Sequence, residues 1–156
     1  MHRQNHIIER LQQTPYWIID FLPQQVPAGA AGQYFKVESM FLSPDYTTQR
    51  AKQFTNIMLK LNCFYTLSVL RGNDMQWVTN PTPGMLAKWI EECLMGNANN
   101  DSTLHVHIDE SDTLFSIYRD FTHMTVYQPN ESLLNLLQSL VSAEGLFMWE
   151  HQIINS

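Results

Sequence analysis

The sequence predicts an α+β fold: a mostly antiparallel sheet with a C-terminal β-meander, a helix and a final strand, and with helices packed on one face. Three observations point there. Helical and strand-like periodicities are mixed along the chain, and most strands have short connections. Three strand-like runs follow one another between Thr103 and Tyr127. A wide aliphatic helical stretch comes next, stopped by Gly145 and followed by Phe147 and Trp149 at strand alternation. This pattern suits an antiparallel layered fold better than a doubly wound parallel one.

Each element has its own signal. Residues 3–13 read as a helix with Ile7, Ile8 and Leu11 on one face, and Tyr16 to Leu22 as a strand closed by Pro23. The two prolines and two glycines between Pro23 and Gly32 mark a loop. Tyr34, Val37, Phe41 and Leu42 fit a helix over Gln33–Leu42. Ser43-Pro44 is an N-cap signal for a helix reaching Leu61, with Ala51, Phe54, Ile57, Met58 and Leu61 inward. Cys63–Leu70, turned by Gly72-Asn73-Asp74 into Met75–Thr79, predicts a hairpin. Thr82-Pro83 opens a helix carrying Leu86, Trp89, Ile90, Cys93 and Leu94, ended by Gly96, and residues 97–101 form a turn. The meander strands are Thr103–Asp109, Thr113–Arg119 and Thr122–Tyr127. Pro129-Asn130 opens the last helix; its large aliphatics at Leu133, Leu134, Leu136, Leu137, Leu140 and Val141 nominate it as the main core helix.

The chain has 156 residues, 44% hydrophobic and 12% aromatic, enough for a core and consistent with a single α+β domain over 1–156. A net charge of −6 argues against a nucleic-acid partner, which would call for a basic stripe. No membrane-spanning run or secretory h-region is seen, and Cys63 and Cys93 read as unpaired thiols, so a cytoplasmic address is expected. Asn100-Asp101-Ser102 and Asn130-Glu131-Ser132 match the glycosylation pattern by chance on this reading.

The segments PYWIIDFLPQQVP, GQYF, LNCFYTLSV, MTVYQP and SAEGLFMWE, in that order between Pro15 and Glu150, resemble those of a family of small bacterial proteins with no assigned function. They consist mainly of aromatic and turn residues. The resemblance implies a single bacterial cytoplasmic domain and transfers no site.

The run Leu104-His105-Val106-His107-Ile108-Asp109 is the most suggestive for chemistry. On a strand, His105, His107 and Asp109 share one face, and His123, Thr125 and Tyr127 join it in a meander. Imidazoles and a carboxylate are transition-metal ligand types. Polar alternation on the solvated face of an antiparallel sheet is the commoner explanation, and Glu110 stands where an HxHxDH metallohydrolase motif needs histidine. His2 and His6 lie near the terminus, and His151 has no partner in sequence. Glu91-Glu92 and Asp109-Glu110 read as solvated pairs, whereas Asp20 interrupts an apolar strand and needs a partner if buried. Nucleophile elbows, SxxK, phosphate-binding glycine loops and other cofactor motifs are absent.

Charge is uneven. From residue 101 onward, Asp101, Asp109, Glu110, Asp112, Asp120, Glu131, Glu144 and Glu150 face Arg119 alone. Asp109, Glu110 and Asp112 fall at one end of the meander and Asp120 at the other, with Tyr118 and Tyr127 between them on the outward face. The favoured reading is a non-enzymatic protein-interaction module whose acidic sheet face binds a basic protein partner, in the manner of an inhibitor or immunity protein, through Tyr118, Tyr127, Asp109, Asp112, His105, His107 and His123. Two alternatives stand beside it. One is a small metal-dependent hydrolase using His105, His107, Asp109 and His123. The other is a homo-oligomeric structural protein burying Trp17, Trp77 or Trp149 between subunits.

Overall fold

The computed structural model describes residues 2–72, 74, 76–96 and 102–151, with side chains from residue 6 onward. The expected turns at Asn73 and 97–101, the strand start at Met75, the Asn100-Asp101 glycosylation pattern and the His2 side chain lie outside the described residues. The described elements run α1 His2–Leu11, β1 Tyr16–Asp20, α2 Tyr34–Phe41, α3 Pro44–Asn62, β2 Leu67–Arg71, β3 Val78–Thr79, α4 Pro83–Met95, β4 Thr103–Ile108, β5 Thr113–Tyr118, β6 Met124–Tyr127, α5 Glu131–Ala143 and β7 Phe147–Glu150. The fold is α+β, and the strands form one antiparallel sheet ordered β3-β2-β4-β5-β6-β1-β7.

Local chemistry accounts for the element ends. Thr82 and Asn130 cap α4 and α5, their side chains accepting from the backbone N–H of Met85 and Leu133. Ser43, expected to cap α3, instead donates its hydroxyl to the carbonyl of Met40, while Pro44 takes the first turn, where no intrahelical N–H is required. The strand expected from Cys63 begins only at Leu67. The backbone N–H groups of Cys63, Phe64 and Tyr65 bond back to Lys60 and Leu61, finishing α3 and leaving none of the three for a ladder.

Helices α3, α4 and α5 cover one face of the sheet. Phe54, Ile57, Leu61, Leu86, Ile90 and Leu137 are fully buried there with Val106, Phe115 and Val126 of the strands. The expectation that α5 is the main core helix is corrected. It buries Leu133, Leu137 and Val141, whereas α3 buries seven residues because it packs between the other two helices. Helix α1 departs from the one-face arrangement: it packs on β5, with Leu11 fully buried as is Leu114, which points away from the main core. Among the described residues no helix is long and apolar enough to cross a membrane.

In urea unfolding, Phe54→Ala is expected to lose about 3–5 kcal/mol and Leu137→Ala about 2–5 kcal/mol, the usual cost of emptying a buried site. Gln138→Ala, on the exposed side of α5, should stay within about 0.5 kcal/mol. A loss below about 1 kcal/mol for Leu137→Ala would mean that α5 turns another side to the core.

Candidate functional site

Strand alternation builds the second face of the sheet. The register places His105 opposite Ser116, Ser116 opposite Thr125, Thr125 opposite Ile18 and Ile18 opposite Trp149, so these side chains share a face with His107, Tyr118, His123, Tyr127, Tyr16 and Asp20. The expected common face is therefore present, but it divides into two regions.

The first region is not the solvated surface expected from alternation. His105 and His107 are 9% and 5% exposed, and Ser116 and Thr125 are buried too. The cause is tertiary cover: α1 packs on β5, Tyr118 meets His105 edge-on, and Trp77 meets His107 edge-on. His105 Nδ1 lies 2.8 Å from the Ser116 hydroxyl, and burial pushes its pKa down to about 4, which keeps it neutral. His107 lies between two carboxylates, with Nδ1 at 3.0 Å from Asp109 and Nε2 at 3.0 Å from Asp112. Both bonds form together when both ring nitrogens carry protons. Asp112 turns the chain at φ +49°, and its two oxygens also accept from the Arg10 guanidinium at 2.7 and 2.9 Å. The Arg10 hydrogen bond, with a further bond from His107, holds the Asp112 carboxyl down at about 2. These groups bind one another. Among the described residues, no group of three or more His, Cys, Asp or Glu side chains is arranged to hold a metal ion.

The second region is a cleft of about 580 Å³ beside α1. Ile18 and Thr125 line it, with Tyr16, Tyr118, Tyr127 and Trp149 around them. Tyr16 sits 5.4 Å from the Tyr127 ring and stacks on His151 at 4.5 Å. The Trp149 indole N–H donates to the Leu22 carbonyl at 3.1 Å, tying the edge strand to the loop that follows β1. That loop contributes Gln24, Gln25 and Val26 to the lining. His123 stacks on Phe121 at 5.2 Å; burial, aided by Arg50 and opposed by Glu38, lowers its pKa. Burial raises the Tyr127 hydroxyl to about 12, and burial with the Glu38 hydrogen bond does the same for Tyr34, so both stay neutral.

Asp20 lines the same cleft and is 7% exposed. Its Oδ1 accepts from the Phe21 backbone N–H at 2.8 Å and the Thr122 hydroxyl at 3.0 Å, which supplies the partners that a buried carboxyl requires. Burial raises its pKa, Glu38 adds to that, and the two hydrogen bonds and Arg50 oppose it. Among the described residues lining the cleft there is no lysine or arginine.

Of the residues named from sequence, Tyr118, His123 and Tyr127 come together in the cleft, His105 and His107 lie buried outside it, and Asp109 and Asp112 sit at the β4–β5 turn. Tyr16, Tyr34 and His151 were not among the expected binding residues, and Trp149 was named only as a contact between subunits. The alternation Tyr16-Ile18-Asp20 was the available signal, but it acquires meaning only once β1 is known to lie between β6 and β7. No protein-family model matches the chain, and the searches of curated proteins and of solved structures found no match.

Two acid-linked effects follow. The folded pKa of His105 lies below its ordinary 6.5, so the stability linked to its neutral form is complete above that pH and is lost as pH falls from about 6.5 toward 4. NMR titration of the His105 ring should show a midpoint near 4; a midpoint near 6.5 would mean that the ring is solvated. Asp112 contributes stability above its ordinary 3.8, lost as pH falls toward about 2. Asp112→Asn should therefore flatten the stability profile over that acid range, and Arg10→Ala should do the same.

Proposed function

We propose that the protein is a non-catalytic binding module whose aromatic cleft receives a lysine or arginine side chain from a basic protein partner. The observation that carries this reading is the cleft lining. Tyr16, Tyr118, Tyr127 and Trp149 surround a space whose described lining includes Asp20 and neither lysine nor arginine. Ring faces attract a cation electrostatically, Trp most strongly, and a desolvated site strengthens the attraction. A cation placed near Asp20 also favours its ionised form. The size of the space suits one long side chain with the backbone that presents it.

The acidic C-terminal third acts at longer range. Asp109, Glu110 and Asp120 are exposed and would steer a basic partner toward this side of the sheet. Asp112 is committed to Arg10 and His107, which makes it a support of the face in preference to a contact. Cys63 and Cys93 are not joined in a disulfide, which fits a reducing cytoplasm. A small acidic protein that occludes a basic toxin has this physical character. The hydrolase reading through His105, His107 and Asp109 is the weaker one, since both ring nitrogens of His107 face carboxylates and Nδ1 of His105 faces the Ser116 hydroxyl.

The test uses short peptides that differ at one central position, titrated against the change in tryptophan fluorescence, with Trp149→Phe identifying the part that comes from Trp149. Lys- or Arg-centred peptides should bind, and Glu- or Leu-centred ones should not. Tyr127→Ala or Tyr16→Ala should weaken binding by about 1–2 kcal/mol, roughly five- to thirtyfold. Equal binding of the Glu-centred peptide, or no loss in either tyrosine variant, would refute the proposal.

A further inference from the structure

A second cavity, of about 210 Å³, lies at the opposite side of the Asp20–Thr122 junction, lined by Phe21, Phe41, Tyr46, Arg50, Gln53 and Thr122 among others. Three aromatic rings form one part of its wall: Phe21 stacks on Phe41 at 4.0 Å, and Phe41 meets Tyr46 at 4.7 Å. Arg50, on α3, is only 6% exposed. Its Nη1 donates to the Phe41 carbonyl at 3.1 Å, capping the C-terminal end of α2. Its Nε and Nη2 are buried and have no hydrogen-bond partner among the described residues.

Capping explains one edge of the guanidinium and leaves the other unexplained. A buried guanidinium with unmatched donors is unfavourable, because the group stays charged and has given up its water. Asp20 attracts it through space, yet no ion pair joins the two, and Asp20 Oδ1 is committed to Phe21 and Thr122. The unmatched pair has a particular geometry. Nε–H and Nη2–H point the same way from one side of the planar group, and this is the fork that matches the two oxygens of a carboxylate.

We propose that this cavity binds a small carboxylate carried on a flat apolar body, an aromatic acid, with Nε and Nη2 of Arg50 holding the carboxylate side-on and the rings of Phe41 and Tyr46 holding the body. The cavity is smaller than a drug-sized site, which limits the body to about one ring. The two donors are screened from solvent, so entry displaces a wall. Helix α2 is the wall that gives way. It buries no side chain, has no side-chain N-cap, and leaves Phe35, Val37 and Met40 exposed. Its attachments near the cavity are the Phe41 ring contacts and the Arg50 bond. This site is independent of the aromatic cleft and does not rest on the function proposed for it.

Calorimetric titration of the full chain tests the proposal with benzoate as the probe, benzamide as its uncharged isostere and inorganic phosphate as a bare oxyanion. Benzoate should bind saturably with one site, and benzamide and phosphate should each bind at least about tenfold more weakly. Arg50→Lys keeps the charge but loses the fork and should weaken benzoate by about tenfold or more. Phe41→Leu removes the stacking wall while leaving Arg50 intact and should also weaken it, which keeps the test open if Arg50→Lys does not fold. Tyr127→Ala, in the other cleft, should leave benzoate binding unchanged. Absence of saturable benzoate binding, equal binding of benzamide or phosphate, full retention in Arg50→Lys or Phe41→Leu, or loss in Tyr127→Ala would overturn the assignment.

Discussion

The insertion of β1 between β6 and β7 is the constraint on which the rest of the molecule depends. Ladder bonds on both sides of Tyr16–Asp20 join the N-terminal segment to the meander and to the last strand, at separations of more than a hundred residues. Because neighbouring strand residues point to opposite faces, this single register sends Ile19 into the helix-covered core and Tyr16, Ile18 and Asp20 to the other side. The same insertion carries α1 onto β5 and brings the loop after Pro23 over Trp149. A slip of one residue would turn Ile18 and Asp20 toward the core and Ile19 away from it, dismantling core and cleft together.

The second face shows how an antiparallel sheet can be polar without being wet. His105, His107, Ser116 and Thr125 occupy positions that alternation assigns to solvent, yet each is buried. Burial is tolerable because polar partners lie alongside: a hydroxyl for His105, two carboxylates for His107, and the Arg10 guanidinium for the carboxylate of Asp112. The chain of contacts Arg10–Asp112–His107–Asp109 runs from α1 to the β4–β5 turn, so it couples the placement of the N-terminal helix to the turn geometry. Its two ends, Arg10 and Asp109, are exposed, and His107 between them is buried.

Asp20 and Arg50 stand at the junction of the two cavities and illustrate opposite solutions for a buried charge. Burial raises Asp20 toward its neutral form, while two donors on Oδ1 and the nearby Arg50 hold part of that rise back. Arg50 cannot neutralise, and one carbonyl satisfies only part of its donor set. The asymmetry comes from the chemistry of the groups: a carboxyl can take up a proton when desolvated, and a guanidinium keeps its charge.

By itself the sequence determined the elements and their faces. Periods of 3.6 and 2 located the helices and the meander; Thr82-Pro83 and Pro129-Asn130 marked helix starts that the structure places at Pro83 and Glu131; and alternation assigned Tyr118, His123 and Tyr127 to one side of the sheet. These are local properties, written in spacing and in backbone chemistry. Tertiary structure alone decided the rest. It made α3 and not the more uniformly aliphatic α5 the centre of the helix layer, since burial depends on having neighbours on both sides. It turned an expected solvent face into a covered one by laying α1 across it, and it joined Tyr16 and Trp149 to Tyr127 through strand pairings that no local pattern records. Arg50 carries no signal in sequence beyond a polar residue on a helix. Its unmatched fork exists only because α2 and the Phe21 wall close around it, and long-range packing of that kind follows from the order of the strands and not from the residues beside it.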